Sequence, residues 1–406
     1  MDRRTFVRGT AAAVGASTLP AGRVFAQAAA PDKIRFGYAI TQSGPLGPGA
    51  DSTTISAYKL WQKQVNDAGG ISLKKYGKKV PIDYVSYDDQ GKPDDLLKLT
   101  ERLIQQDKVD MVLAPYASHM NLASAPIINK YEYPVIMTTA TTNKTYELGP
   151  KWPYAFWNIA QPRSSSGALS KAIAGLKSQG KIKGRVAAIY ANLEYGVENN
   201  ETFIAAAKSD GIDVVLNKGY PFGASDLQPL IREVMATNPD AFVAFSYPPD
   251  TFMLTEQAQI LNFNPQLMYV AIGGVFPSYK AKFGNKVNGI LVYGPADPKA
   301  PGMDVFAKAH QSMFNREYEA GAVNVYSALQ ITQQAIETVG EIDRKKIRDV
   351  IASTTFNTIW GDIKYVNQLN ANPWAVGQWQ DGELACLFPA DKAGAKPLLF
   401  PKPTWS

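Results

Sequence analysis

Cysteine and histidine are nearly missing from this chain of 406 residues. Cys386 is the only cysteine, and His119 and His310 are the only histidines. A single cysteine cannot form an intrachain disulfide, and two imidazoles with one thiol are too few for a typical zinc or iron site built from soft ligands. The sequence therefore predicts no metal, and we interpret Cys386 as a packing residue.

Long hydrophobic runs and dense clusters of one charge are also missing. After residue 28, no apolar run approaches the ~18 residues that a membrane-spanning helix needs. The formal net charge is +6, and residues 1–28 supply +3 of it, from four arginines against one aspartate, which leaves +3 for the remainder. That remainder has no basic stripe of the kind that holds nucleic acid, so no nucleic-acid partner is predicted.

The motifs of common nucleotide sites and hydrolases are absent as well. The loop "ITQSGPLGPGA" at residues 40–50 orders its glycines G-x-x-G-x-G, whereas a dinucleotide site needs G-x-G-x-x-G. Pro45 and Pro48 within it have no N–H to donate to a phosphate. Neither a G-x-x-x-x-G-K-[ST] loop nor a G-x-S-x-G elbow occurs. We predict no cofactor and no catalytic residue, and an exported α/β hydrolase or oxidoreductase stays open as an alternative.

Residues 1–28, "MDRRTFVRGTAAAVGASTLPAGRVFAQA", have the layout of an export signal. An arginine-rich start is followed by a weakly apolar middle and by small residues, with cleavage expected after Ala26 or Ala28. Arg3-Arg4 followed by "TFVR" resembles a twin-arginine signal. No cysteine follows the apolar segment, which argues against a lipid anchor there. We therefore expect the mature protein to be soluble and to reside in the periplasm.

Short apolar runs alternate with amphipathic stretches along the rest of the chain. The runs that predict strands are "KIRFGYAI", "VPIDYVSY", "VDMVLAP", "YPVIMTT", "GRVAAIYAN", "IDVVLNKGY", "DAFVAFSY", "LMYVAI" and "NGILVYG". Helical periodicity predicts helices over residues 52–68, which Gly69-Gly70 would end, 93–106, which Pro93 would start, and 226–235, which Ser225 would cap. Such alternation is typical of parallel sheets covered by helices on both faces, and two sheets suit this length.

The C-terminal pattern is different. Residues 358–389 alternate aromatic and polar side chains, with turn signals at residues 370–373 and at Asp381-Gly382, which predicts a β-hairpin. We interpret Trp360, Trp374 and Trp379 in this segment as packing residues rather than as ligand contacts.

Polar loops follow several predicted strands, where ligands of open α/β sheets bind. "APYASHMNLASAP" and "TTATTNKT" are rich in hydroxyl groups. Ser118 stands at a predicted helix start, whose free N–H groups could bind a carboxylate. The alternative is that Ser118 only caps its helix. Tyr195 and Tyr247 follow later strands and could reach a ligand from there.

The order and spacing of several short motifs resemble the leucine/isoleucine/valine-binding proteins of ABC importers. The motifs are "SGPLG", "VNDAGGI", "YDDQGKPDD", "APYAS", "MTTATT", "EYGVENN" and "NVYSALQ", and the resemblance covers nearly all of the chain after the signal. It implies an α/β, type I periplasmic binding protein fold, in which two Rossmann-like lobes with parallel-rich sheets are joined at a hinge by three crossovers. We place the crossovers near "YAFWNIAQ", "GILVYGPAD" and "TIWGDIKY". The predicted N-terminal lobe is 32–157 plus 292–358, and the C-terminal lobe is 158–291 plus 359–406.

The resemblance also implies where a ligand is held. In the family, a loop serine and a threonine two residues past an alanine hold the ligand's α-carboxylate, and Ser118, Ala140 and Thr142 match them. Tyrosines of the second lobe match Tyr195 and Tyr247. The candidate ligand-binding residues are Leu46, Tyr116, Ala117, Ser118, Ala140, Thr141, Thr142, Tyr195, Tyr247, Gly273 and Gly274.

Two departures from the family pattern concern the ligand's amine. Amino-acid binders usually place an acidic residue after the strand equivalent to "LMYVAI" to hold an ammonium group, and this sequence has Gly273 and Gly274 there. A tyrosine of the opening loop is also missing, replaced near Gly49. We therefore hypothesise a carboxylate or amide ligand without a free α-amine, aromatic acids included.

The resemblance implies capture of a solute without chemistry. A monomeric receptor would close on a small amino acid, or on a related carboxylate or amide, and would then dock on an ABC permease in the inner membrane. A periplasmic ligand sensor for a signalling partner would share this fold and is the alternative.

Overall fold

The computed structural model describes residues 30–405, so the predicted export signal lies outside the described residues. The strands are, in chain order, β1 (Ile34–Ile40), β2 (Ile71–Leu73), β3 (Lys78–Val80), β4 (Ile82–Asp88), β5 (Met111–Val112), β6 (Val135–Met137), β7 (Ala155–Trp157), β8 (Arg185–Ala191), β9 (Asp213–Tyr220), β10 (Ala241–Phe245), β11 (Leu267–Tyr269), β12 (Ile290–Tyr293), β13 (Thr355–Thr358), β14 (Gly361–Val366), β15 (Leu369–Asn370), β16 (Val376–Gln380) and β17 (Glu383–Phe388).

The α-helices are α1 (Gly47–Ala50), α2 (Ser56–Asp67), α3 (Pro93–Gln105), α4 (Ser118–Lys130), α5 (Lys144–Leu148), α6 (Pro162–Ser178), α7 (Glu194–Ser209), α8 (Gln228–Ala236), α9 (Pro248–Ile260), α10 (Pro277–Phe283), α11 (Met303–Phe314), α12 (Ala320–Val339) and α13 (Arg344–Ser353). A π-helical turn, Asp51–Ile55, joins α1 to α2, and 3-10 turns cover Lys74–Tyr76, Gly149–Lys151, Gly273–Val275 and Gly284–Val287.

Two hydrophobic cores divide these elements. The first core covers a three-stranded sheet of order β4-β1-β5, a five-stranded sheet of order β13-β14-β15-β7-β6 and the small β2-β3 hairpin. The second core covers a seven-stranded sheet of order β17-β16-β12-β11-β10-β8-β9. Strands β8 to β12 are parallel in that sheet, and β16 and β17 form an antiparallel hairpin at one edge. The predicted α/β class with parallel-rich sheets is confirmed.

Each apolar run that predicts a strand contains one, namely β1, β4, β5, β6, β8, β9, β10, β11 and β12. The residues of β10 are buried at every position, as expected for a strand that has helices on both faces. The predicted turn at Asp381-Gly382 closes the β16–β17 hairpin, and both residues have positive φ. Trp379 packs in the second core and donates its indole N–H to the Gly274 carbonyl at 2.7 Å.

The predicted helix signals are confirmed in two cases and wrong in one. Pro93 starts α3, and α2 ends before Gly70, which has φ 105° and approaches Val80 so closely that a Cβ atom would lie 2.2 Å from the Val80 carbonyl. Ser225 does not cap α8. The side chain of Asp226 accepts the hydrogen bond from the Gln228 N–H instead, at 2.9 Å.

The chain changes core three times. It passes from the first core to the second between β7 and α6, returns between β12 and α11, and leaves again between β15 and β16. The first two passages lie at the predicted crossovers, although Val292 and Tyr293 stay in the second sheet.

The third predicted crossover, at "TIWGDIKY", is wrong. Strand β14 pairs with β15, which pairs with β7, and Ile363 and Tyr365 are buried in the first core. Residues 359–370 therefore belong with the first core, and the boundary predicted between 358 and 359 lies too early. Alternation along β14 indicates which side chains are buried, but it does not indicate against which core they pack.

The described residues bear on three further predictions, two of which concern absences. Between residues 30 and 405, no helix is long and apolar enough to cross a bilayer. In the same range, no three side chains of His, Cys, Asp or Glu are grouped to hold a metal ion. Cys386 is buried in the first core, and burial raises the pKa of its thiol to about 12, as expected of a packing residue.

Candidate functional site

A cavity of about 80 Å³ lies between the two cores, beyond the carboxyl ends of strands from both. The residues that face it from the first core are Thr53, Tyr116, Ala117, Ser118, Thr138, Thr139, Gly321, Asn324 and Trp360. Those that face it from the second core are Tyr195, Tyr247, Ile272, Val275, Phe276 and Tyr293. Ile159, Gly294 and Ala320 complete the wall.

The N-terminus of α4 reaches the cavity through a strained residue. Ala117 precedes the helix with φ 80° and ψ 150°, a conformation that normally requires glycine. In this conformation its N–H donates to Thr139 Oγ1 at 3.0 Å. Ala117 and Ser118 line the cavity, and the N–H groups of a first helical turn have no acceptor within the helix. A carboxylate in the cavity would find these donors and the positive end of the helix dipole.

Ser118 has a second role that its position in the sequence does not indicate. Its Oγ accepts from the Thr141 N–H at 3.1 Å and lies 3.5 Å from the Thr141 carbonyl oxygen. The hydroxyl therefore ties the loop after β6 to the start of α4. The helix start has no side-chain cap, so the alternative that Ser118 only caps α4 is not what the structure shows.

Three tyrosines from the second core form the facing wall. The rings of Tyr195 and Tyr247 pack edge to face with centroids 5.3 Å apart, and Tyr293 lies 6.2 Å from Tyr195. Tyr293 donates its hydroxyl to the Ala160 carbonyl, whereas the buried hydroxyls of Tyr195 and Tyr247 have no protein partner. Two buried phenol groups of the wall, each able to donate and to accept, thus lack a protein hydrogen-bond partner.

The cavity wall carries no formal charge. Within residues 30–405, no Asp, Glu, Lys, Arg or His lines it. Burial raises the pKa of Tyr116 to about 12. The pKa of Tyr247 is also raised, mainly by burial and to a smaller extent by the nearby Tyr116. Both phenols are therefore neutral at physiological pH. The wall offers hydrogen bonds and apolar contact, but it offers no counter-ion.

One buried carboxylate lies next to the wall. Glu319 precedes Ala320 and is 8% exposed, its Oε1 accepts from Ser278 Oγ at 2.6 Å, and its Oε2 has no partner. Burial raises the pKa of this carboxyl to about 7. Glu319 leads into α12, which packs on the first core, and Ser278 belongs to α10 of the second core, so their hydrogen bond joins the two lobes.

Other contacts also hold the lobes together near the cavity. The side-chain amide of Asn143 donates to Thr202 Oγ1 at 2.7 Å, and Lys144 pairs with Glu194. Asn199 of α7 donates to Thr141 Oγ1 at 3.3 Å. The loop after β6 therefore touches the second lobe directly, and the structure has a closed cleft.

Five of the candidate residues face the cavity, namely Tyr116, Ala117, Ser118, Tyr195 and Tyr247. The others do not line it. Ala140, Thr141 and Thr142 lie buried beyond the wall, and the Thr142 N–H donates to Gln161 Oε1 at 2.8 Å. Thr138 and Thr139 face the cavity in their place because the chain turns away earlier than the motif suggests.

Gly273, Gly274 and Leu46 also lie outside the wall. A Cβ atom at Gly273 would lie 2.6 Å from Thr251 Cβ, and one at Gly274 would lie 2.7 Å from Val292 Cγ1. Packing of the 3-10 turn against α9 and β12 thus requires both glycines. Leu46 is partly buried between the two cores.

Several wall residues are not among the sequence candidates. Asn324 and Trp360 face the cavity, and the Trp360 indole donates to the Pro295 carbonyl at 3.3 Å. Asn324 stands in the motif "NVYSALQ", so the resemblance to the family could have indicated it as a candidate. Trp360 lies in a segment that alternates aromatic and polar residues, and nothing in that pattern distinguishes it from the packing residues around it. The interpretation of Trp360 as a packing residue alone is therefore incomplete.

Comparison with known proteins finds relatives that match this chain over most of its length. A family model described as "Periplasmic binding protein" matches residues 33–383. A Leu/Ile/Val-binding protein homolog 8 of Brucella melitensis is 24% identical over an alignment 385 residues long, gaps included, which covers 89% of this chain and 92% of the relative.

Two solved structures share the fold at low sequence identity. LivJ of Streptococcus pneumoniae, a branched-chain amino acid transporter substrate binding protein in complex with isoleucine, superposes with a TM-score of 0.74 at 19% identity, covering 87% of this chain and 97% of that one. A solute binding protein of an ABC transporter from Rhodopseudomonas palustris, in complex with 3,4-dihydroxybenzoic acid, gives 0.73 at 19% identity, covering 87% and 95%.

Proposed function

The chain belongs to the periplasmic binding protein family, and from that premise we propose that it captures a small carboxylate in the cavity between its lobes and delivers it to an ABC permease. It works as a monomer in the periplasm, to which the signal at residues 1–28 sends it. The protein performs no chemistry on its cargo, and a closed lobe arrangement is the form that the permease meets.

The ligand is a carboxylate or amide without a free α-amine. One observation carries this choice: the wall of the cavity has no acidic side chain within the described residues. A buried ammonium group without a carboxylate partner is strongly disfavoured, whereas a carboxylate can be held by the N–H groups of a helix start. Aromatic acids suit a wall in which Tyr195, Tyr247 and Trp360 supply ring surfaces.

Each lobe contributes one half of the binding contact. The carboxylate binds at the start of α4, beside Ala117 and Ser118, and the body of the ligand lies against Tyr195 and Tyr247 of the other lobe. Contacts made by both lobes exist only when the cleft is closed. They favour closure in proportion to the difference in ligand affinity between the closed and the open form.

Isothermal titration calorimetry on the mature protein tests this proposal. The probes are benzoate, 4-hydroxybenzoate, benzamide, isobutyrate, leucine, isoleucine and glutamate. We expect at least one amine-free acid or amide to bind, and to raise the melting temperature in a parallel thermal-shift series, because a ligand of the folded state stabilises it. Tight binding of leucine or glutamate without binding of any amine-free probe would overturn the proposed ligand class.

A further inference from the structure

The side chain of Tyr116 lies in space that a side chain at position 49 would otherwise fill. Gly49 belongs to α1, the short helical turn of the opening loop. A Cβ atom on Gly49 would lie 2.5 Å from the Tyr116 hydroxyl oxygen and 3.0 Å from Cζ. No real Cβ contact is that short, so Tyr116 can hold this position only because residue 49 is glycine.

Tyr116 brings an uncommitted hydroxyl to the cleft. The residue lines the cavity and is 7% exposed, and none of the hydrogen bonds within residues 30–405 involves its hydroxyl. Tyr247 from the facing lobe likewise has a hydroxyl without a partner. The closed cleft therefore has a phenol group from each lobe without a protein hydrogen-bond partner, and a ligand hydroxyl can supply that partner.

We propose that Tyr116, admitted to the cleft by Gly49, is a specificity-determining residue that selects carboxylates carrying a neutral hydroxyl substituent. The proposal rests on the proposed function. A ligand hydroxyl can accept from one phenol and donate to another, whereas an unsubstituted ring leaves these buried polar groups unpaired. Discrimination of this kind exceeds what apolar contact alone supplies, because an unpaired buried hydroxyl disfavours the wrong ligand.

The first experiment compares dissociation constants for benzoate and for 2-, 3- and 4-hydroxybenzoate by calorimetry. In the unmodified protein we expect the best hydroxybenzoate to bind about tenfold more tightly than benzoate, the effect of one net hydrogen bond. Tyr116→Phe keeps the ring and should bring this ratio close to one by weakening hydroxybenzoate alone. Tyr133→Phe is the matched control, a buried tyrosine of the same lobe whose hydroxyl donates to Val109 away from the cavity, and it should keep the ratio.

The outcomes separate this inference from the proposed function. If the unmodified protein binds amine-free acids and Tyr116→Phe keeps the ratio of wild type, Tyr116 does not set specificity and the inference is overturned. If the unmodified protein binds none of these acids but binds leucine, the proposed function fails, and the inference fails with it.

A double-mutant cycle tests the coupling between the two positions. Residue 49 has a helical backbone, so Gly49→Ala adds a methyl group without backbone strain. With Tyr116 present, we expect Gly49→Ala to weaken binding of the best hydroxybenzoate at least tenfold. In a Tyr116→Ala background the same substitution should change affinity less than twofold, because the clashing hydroxyl is gone. Equal losses in the two backgrounds would show that Gly49 does not act through Tyr116.

Discussion

Glu319→Gln should make the protein more stable, and the gain should depend on pH. Burial raises the pKa of this carboxyl from 4.5 to about 7, because the folded protein disfavours its charged form. The folded state therefore binds a proton more readily than the unfolded chain. The contribution of Glu319 to stability is fully present below pH 4.5 and is lost as the pH rises towards 7.

The size of the effect follows from the shift. A change of about 2.5 pKa units at 1.36 kcal/mol per unit corresponds to about 3 kcal/mol. Glutamine keeps an acceptor for the Ser278 hydroxyl and cannot ionise. The free energy of unfolding of Glu319→Gln minus that of wild type should thus rise from near zero at pH 4.5 to about 3 kcal/mol at pH 8.

Urea unfolding at half-unit pH intervals measures this difference, and groups that titrate in both proteins cancel from it. The charged neighbours that act on Glu319 are Arg316 and Glu317. Glu317→Gln removes an exposed negative charge two residues away and serves as the control, for which we expect a much smaller difference at every pH. A Glu319→Gln difference that stays constant from pH 4.5 to 8 would refute the reasoning.

Two further substitutions test the start of α4. Ala117→Gly should raise the free energy of unfolding by about 1 kcal/mol in urea titrations, because relief of about 1–3 kcal/mol of backbone strain exceeds the added freedom of the unfolded chain; an unchanged or lower value would contradict the strain. Ser118→Ala should weaken ligand binding in calorimetry and lower the free energy of unfolding by about 1–3 kcal/mol, because the buried Thr141 N–H loses its acceptor. Ser124→Ala removes a buried hydroxyl from the same helix outside the cavity wall and should leave affinity unchanged, and equal effects of both serine substitutions would contradict a binding role.

Much of the fold could be predicted from the sequence because its strands are short, apolar and bounded by polar loops. The hydrophobic pattern gave a wrong prediction where the structure depends on which strand pairs with which. Strand β14 alternates as a strand with one buried face should, yet only its pairing with β15 assigns it to the first core. The prediction that Ser225 caps α8 was wrong for a local reason. The neighbouring Asp226 accepts the hydrogen bond from the Gln228 N–H instead.

The candidate site was partly predictable for a similar reason. Parallel strands bring their carboxyl ends together, so Ser118, Tyr195 and Tyr247 could be placed near one cleft. Which residue of a loop faces that cleft depends on where the chain turns. The turn after Thr139 buries Thr141 and Thr142 against Ser118 and Gln161. No periodicity in the loop sequence predicts where this turn lies.

Gly49 shows why the loss of a binding group cannot be inferred from one residue type without its neighbours in space. In the sequence, glycine at this position indicates the loss of a binding tyrosine. In the structure, the space is occupied by Tyr116, a residue from another loop. The cleft therefore has a tyrosine at this place, although that tyrosine comes from a different loop.

The magnitudes decide between a ligand that has a free amine and one that lacks it. An ammonium group over the faces of Tyr195 and Tyr247 could gain about 2 kcal/mol from cation–π attraction in a desolvated site. Removing the same group from water without a carboxylate partner costs several kcal/mol, and the wall formed by the described residues provides no such partner. Glu319 is not part of this wall, and its Oε1 already accepts a hydrogen bond from Ser278. The cleft therefore disfavours a zwitterion even though its helix start suits a carboxylate.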